Sequence, residues 1–200
     1  MTSLINETDL LGFTNWSGLS QSNDILNGIN LSVQKCNRKR ILFFDLADPS
    51  CKSSGQFTDL FSLIEKLSIS FHIILSFNCN EILIAYNQFF NCNRSTFNYN
   101  MAKELVTALP ADEVVVHSTD WAIAAGKDYS IAEVKVEKVT NPVILTGAGD
   151  NFNAGYCLGK LCSFDSNFCL HLGNISATLY VERGHPVGIN EIVTYIEQLQ

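Results

Sequence analysis

Apolar positions along the chain fall into two alternating patterns. Ile41-Leu42-Phe43-Phe44 is an unbroken apolar run that follows the basic stretch Arg38-Lys39-Arg40 and ends at Asp45 and the Asp48-Pro49 turn. A short continuous run bounded in this way predicts a strand covered on both faces. Phe57, Leu60, Phe61, Ile64 and Leu67 then recur at intervals of three and four, the spacing of one helix face. Phe71 to Phe77 predicts a second apolar strand, followed by a helical stretch from Glu81, an Asn-rich loop over 91–100 and a helix from about Tyr99 to Ala108. Val114-Val115-Val116 supplies a third strand. Between Trp121 and Val136, two short extended runs flank Gly126-Lys127-Asp128, which predicts a hairpin. Beyond Pro142 the pattern is helical, over about 150–163, 166–181 and 189–199. Apolar strands alternating with helices imply an α/β fold, a mostly parallel sheet flanked by helices. In such sheets ligands bind at the carboxyl ends of the strands.

No repeat, low-complexity tract or linker divides the sequence, and the prolines at 49, 110, 142 and 186 fall at element boundaries. Residues 1–200 therefore read as a single domain. With 46% hydrophobic and 16% charged residues the chain is expected to fold. A net charge of -7 gives no global positive field, so neither nucleic acid nor an anionic membrane surface is an expected partner, and a nucleotide would need a local site. No apolar run approaches the length of a membrane span, and Met1 to Glu7 has neither a basic region nor an apolar core, so a cytoplasmic protein is expected. The seven cysteines, at 36, 51, 79, 92, 157, 162 and 169, form no C-x-x-C pair and read as reduced thiols in apolar space. His72, His117, His171 and His185 lack metal-ligand spacing.

The segment Thr146-Gly147-Ala148-Gly149-Asp150-Asn151-Phe152-Asn153-Ala154-Gly155 is the most informative. Small residues leave the backbone of 147–149 uncovered where a helix begins, so several N–H groups and the positive helix end would face one anion. Asp150, in the first turn, would sit beside that anion as a base for an attacking hydroxyl; equally, it would simply cap the helix while the glycines make the turn. Gly147-Ala148-Gly149 also begins like the dinucleotide fingerprint G-x-G-x-x-G, but the sixth position is Phe152. There is no G-x-x-x-x-G-K-[ST] phosphate loop.

At this segment the sequence resembles the ribokinase-like, or PfkB, family of carbohydrate kinases, whose second signature is T-G-A-G-D followed by a Phe, a small residue and a Gly. Thr146 to Asp150, Phe152, Ala154 and Gly155 match it. The resemblance implies Asp150 as catalytic base and the backbone of Gly147, Ala148 and Gly149 as the anion hole for the γ-phosphate of ATP. Asn78-Cys79-Asn80-Glu81 is similar to the family's N-x-x-E motif, which implies that Asn78 and Glu81 tune Mg2+ and phosphate binding, Glu81 through water. The same residues also fit a capping box. Leu10 to Trp16 and Phe43 to Pro49 look like strands of the family's sheet, Val114-Val115-Val116 and the hairpin like the strand and loop before the nucleotide pocket, and Asn174 falls where members line the adenine side.

Three departures stand out. Where members show Thr-x-Gly, this chain has His117-Ser118-Thr119, with Ser118 and Thr119 expected beside the nucleotide. Where members often have an Asp, three residues before the first glycine of the signature, this chain has Ile144. Nothing matches the family's Gly-Gly signature, most of its sugar site or its β lid. The expectation is a three-layer ribokinase-like fold lacking the N-terminal substrate and lid portion: the nucleotide-binding part of a kinase transferring phosphoryl from ATP-Mg to a sugar or nucleoside hydroxyl. The alternatives are a non-catalytic remnant or nucleotide-binding module and, more distantly, a dinucleotide-binding protein. A sheet edge left uncovered would be free to pair with a second copy, a route to a homo-oligomer.

Overall fold

The computed structural model describes residues 2–33 and 39–198; Met1, Cys36 and Arg38, considered above, lie outside the described residues. Its elements are α1 (Thr2–Glu7), β1 (Leu10–Phe13), α2 (Ser22–Ser32), β2 (Arg40–Asp45), a 3-10 turn (Pro49–Cys51), α3 (Ser54–Leu67), β3 (Phe71–Asn78), α4 (Cys79–Phe90), α5 (Asn100–Ala108), β4 (Glu113–His117), β5 (Trp121–Gly126), β6 (Ile131–Lys135), α6 (Ala148–Leu161), α7 (Ser166–Arg183) and α8 (Ile189–Gln198). The strands form one sheet in the order β1-β2-β3-β4-β5-β6, with β1, β2 and β3 parallel. This is the mostly parallel, helix-flanked sheet that the apolar runs predict. By contact density the chain divides into two compact units, residues 1–116 with 125–131, and residues 117–124 with 132–200.

In the first unit, Leu42, Phe43 and Phe44 of β2 and most of β3 are buried, as double-faced strands require. The helix spacing of α3 places Phe57, Leu60, Leu63, Ile64 and Leu67 inside, and a capping box of Ser53 and Gln56 starts it. Trp16 is fully enclosed, its ring 5.2 Å from that of Phe57, and its Nε1–H donates to Asn23 Oδ1 at 2.7 Å. Asp45, where the apolar run of β2 ends, accepts from the Ala47 N–H at 2.7 Å. It acts here as a turn former.

The second unit is built on a close pairing of α6 and α7. A Cβ at Gly155 would run into the Leu172 carbonyl, one at Gly159 would meet Cys169 Sγ at 2.7 Å, and one at Gly173 would meet the Phe152 ring at 2.8 Å. Glycine at these three positions lets the two backbones approach. Leu172, Leu179 and Ile192, with Leu158, Ile175 and Ile196 partly covered around them, hold α8 to this pair. Cys157, inside this unit, has its thiol pushed up to about 12 by burial, with the neighbouring Cys169 adding to the effect, so it stays protonated and filling space.

Candidate active site

The T-G-A-G-D segment folds as the start of α6. Gly147 is the residue before the helix, with φ +93° and ψ -1°, a conformation that costs a side chain and that glycine adopts freely. A Cβ there would also meet Tyr180 Oη at 2.7 Å. That hydroxyl, reaching over from α7, donates to the Thr146 carbonyl at 2.8 Å, and the Asn151 amide donates to the Gly147 carbonyl at 2.9 Å. The turn is thus held from both sides.

The backbone N–H groups divide. That of Ala148 donates to the Leu145 carbonyl at 3.2 Å, and that of Asn151 returns to Gly147 O. Those of Gly149 and Asp150 have no acceptor among the described residues, so the second and third helical positions carry the open donors at the positive helix end. Asp150 is exposed and is not the cap: Gly147 precedes the helix and no side chain caps it. This excludes the reading of Asp150 as a mere N-cap and leaves a free carboxylate beside two free N–H groups.

His117, at the end of β4, lies on this turn. A Cβ on Gly149 would fall 3.2 Å from His117 Cε1 and 3.7 Å from Nε2, and the imidazole packs on the Phe152 ring with centroids 4.8 Å apart. Burial lowers its pKa from 6.5 to about 4, so the ring is neutral near pH 7. Ser118 follows, half-buried, its N–H closing a tight turn onto the Trp121 carbonyl at 2.9 Å, and Thr119 is exposed. Asn174 sits in α7 beside Gly173; its Nδ2 is enclosed and finds no partner among the described residues. An enclosed amide without a partner is costly unless a ligand satisfies it.

Asn78 and Glu81 belong to the other unit. Asn78 Oδ1 accepts from the N–H groups of Asn80 and Glu81, both at 2.9 Å. Glu81 Oε2 accepts from the Asn78 N–H at 2.8 Å and Oε1 from its Nδ2 at 2.6 Å. The capping box is complete, and both carboxylate oxygens are engaged at the end of β3. Among the described residues no group of three His, Cys, Asp or Glu side chains is arranged to hold a metal ion. Among the described residues no helix is long and apolar enough to cross a membrane.

Tyr180, Gly159 and Gly173 were not singled out from sequence, and Gly155 was named only as part of the signature. The Gly155-x-x-x-Gly159 spacing was a readable signal for close helix approach; a tyrosine reaching back 34 residues to Thr146 left none.

Comparisons with known proteins bear on the family and the fold. The profile of the family described as prokaryotic ketohexokinase matches residues 1–199. Comparison with curated proteins finds no match. Among solved structures, an adenosine kinase of Sinorhizobium meliloti superposes with a TM-score of 0.77 at 18% identity, covering 100% of this chain and 57% of that one. A nucleoside kinase of Methanocaldococcus jannaschii, described as an archaeal member of the ribokinase family, gives 0.67 at 17%, covering 96% and 56%. A ribokinase II candidate of E. coli, solved with ATP and Mg2+, gives 0.71 at 16%, covering 99% and 61%. Identities this low establish likeness of fold, and the chain spans less than two thirds of each relative's length.

Proposed function

This chain belongs to the prokaryotic ketohexokinase family, and on that premise we propose that it forms the nucleotide-binding part of an ATP-dependent kinase acting on a sugar hydroxyl. A ketohexose is the first acceptor to test, because of the family; a nucleoside is the second, because of the structural neighbours. The observation that carries the reading is the start of α6, where two open N–H groups and an uncapped, exposed Asp150 carboxylate stand together.

In the proposed reaction the acceptor oxygen attacks the γ-phosphorus of ATP, the new O–P bond forms as the bond to the β,γ-bridging oxygen breaks, and ADP leaves. Asp150 takes the hydroxyl proton. The turn 147–149 supplies the anion hole, chiefly through the Gly149 N–H and that of Asp150, with Gly147 shaping the turn and Ala148 beginning the helix. Charge developing on the transferred group is stabilised by these fixed dipoles, and most of the rate comes from positioning. Asn174 offers its unsatisfied amide to the adenine side, and Ser118 and Thr119 flank the nucleotide. Mg2+ would enter with ATP, as part of the substrate.

The test is Asp150→Asn. ATP-dependent phosphorylation of a ketohexose is expected to fall by about 10³-fold, the scale of a lost general base, while ATP-Mg affinity and thermal unfolding stay near wild type. Near-normal turnover by the variant would sink the assignment. The departures from the family pattern at His117-Ser118-Thr119 and Ile144 favour one second reading, a nucleotide-binding module. ATP-Mg binding by the 200-residue chain without transfer to any sugar or nucleoside would select it.

A further inference from the structure

The imidazole of His117 has no place in the scheme above, yet its setting is specific. Its Cε1–Nε2 edge faces Gly149, one of the two residues with an open N–H, at the distances given for a Cβ there, 3.2 and 3.7 Å. Tilted packing at 36° against Phe152, itself buried in α6, restrains the ring. Neither ring nitrogen has a hydrogen-bond partner among the described residues. A neutral imidazole carries one N–H donor and one lone pair, and here both are left for water or a ligand.

We propose that His117 contacts the terminal phosphoryl group of ATP, its ring N–H serving as a third donor beside the N–H groups of Gly149 and Asp150. The inference rests on the nucleotide-binding reading and adds a side chain to a site so far made of backbone. A ring that is neutral near pH 7 donates without adding a charge, and one with a pKa near 4 is a poor base, so the hydroxyl proton still goes to Asp150. Gly149 has a second role here: a side chain at 149 would press on the ring and turn it off the anion.

Two variants of the 200-residue chain separate donation from packing. His117→Phe keeps a ring on Phe152 and loses the donor, whereas His117→Gln gives up the ring and keeps an N–H. By titration calorimetry, His117→Phe is expected to bind ATP-Mg roughly tenfold more weakly than wild type, the scale of a hydrogen bond to a charged acceptor. Its affinity for ADP-Mg, which lacks the terminal group, should be unchanged, and His117→Gln should recover most of the ATP affinity. Equal ATP affinity in wild type and His117→Phe, or a parallel loss of ATP and ADP binding, overturns the proposal and leaves the nucleotide-binding reading standing. No ATP-Mg binding by the wild type overturns both. Should His117→Phe fail to fold, nitrogen-15 spectra of the wild-type histidines give the same answer: one ring N–H must shift with ATP-Mg and not with ADP-Mg, and its failure to do so overturns the proposal.

Discussion

At the residue scale, two positions make the candidate site what it is, and each can be tested through stability. Gly147 has φ +93° and stands where a Cβ would come within 2.7 Å of Tyr180 Oη. Gly147→Ala must bear left-handed strain and displace the hydroxyl that holds the Thr146 carbonyl. A loss of about 2 kcal/mol is expected, read as a lower urea midpoint at unchanged slope. His117 makes a pH-dependent contribution. Its value falls from 6.5 to about 4 in the fold, so between these limits the unfolded chain binds a proton that the folded chain refuses. Stability therefore rises with pH across this window and is lost as pH falls from 6.5 to about 4, by up to about 3 kcal/mol for this group. The urea midpoint of wild type should decline more steeply than that of His117→Gln over this range, and parallel profiles would refute the assignment. Asp150 was legible from sequence as a candidate base, but only the structure removed its competing role, because a glycine and no side chain begins α6.

At the element scale, the start of α4 serves two readings that were both visible in Asn78-Cys79-Asn80-Glu81. The completed capping box satisfies first-turn donors, so Asn78→Ala is expected to lower stability by about 1 kcal/mol in thermal unfolding whether or not the motif also acts on phosphate-bound Mg2+. The α6–α7 contact is more demanding. Gly155→Val would set a branched side chain against the Leu172 carbonyl and Ser176 Cβ. Backbone cannot yield as a long side chain does, so the helices must part, and a loss of more than about 3 kcal/mol or failure to fold is expected by circular dichroism on heating. Most elements were readable because period and burial agreed in them, as in β2, α3 and β3. The helices α1 and α2 were not. The sequence of α2, Ser22 to Ser32, is rich in Asn, Ser and Gly, weak helix formers, and only Leu26 and Ile29 supply a buried apolar face. Its helicity comes from packing, which no local pattern records. The start of α6 falls at Ala148, two residues before the expected boundary, because Ala148 and Gly149, read as turn, are already helical.

At the scale of the whole molecule, the ribokinase-like fold was legible because motif order and strand order agree. The family profile over residues 1–199 and the structural neighbours bear out the resemblance carried by Thr146 to Gly155. What the sequence did not carry is the set of contacts made across long separations: Tyr180 to Thr146, His117 to Gly149, and an Asn174 amide enclosed without a partner. Each depends on backbone placement that neighbouring residues do not specify. Net charge belongs to this scale too, and it separates two ways of holding a nucleotide. A basic patch would attract ATP from a distance, and its affinity would fall as salt screens that attraction. Here the chain carries -7 overall, and the proposed donors are N–H groups, a helix end and an uncharged imidazole. Long-range interaction with ATP-Mg is then repulsive, and salt screens the repulsion instead. Raising ionic strength from about 0.02 to about 0.2 M with a non-coordinating salt, with free Mg2+ held constant, should leave ATP-Mg affinity unchanged or improve it up to a few-fold. A tenfold loss over the same range would mean that lysine or arginine side chains hold the phosphates, and would move the anion site away from the start of α6.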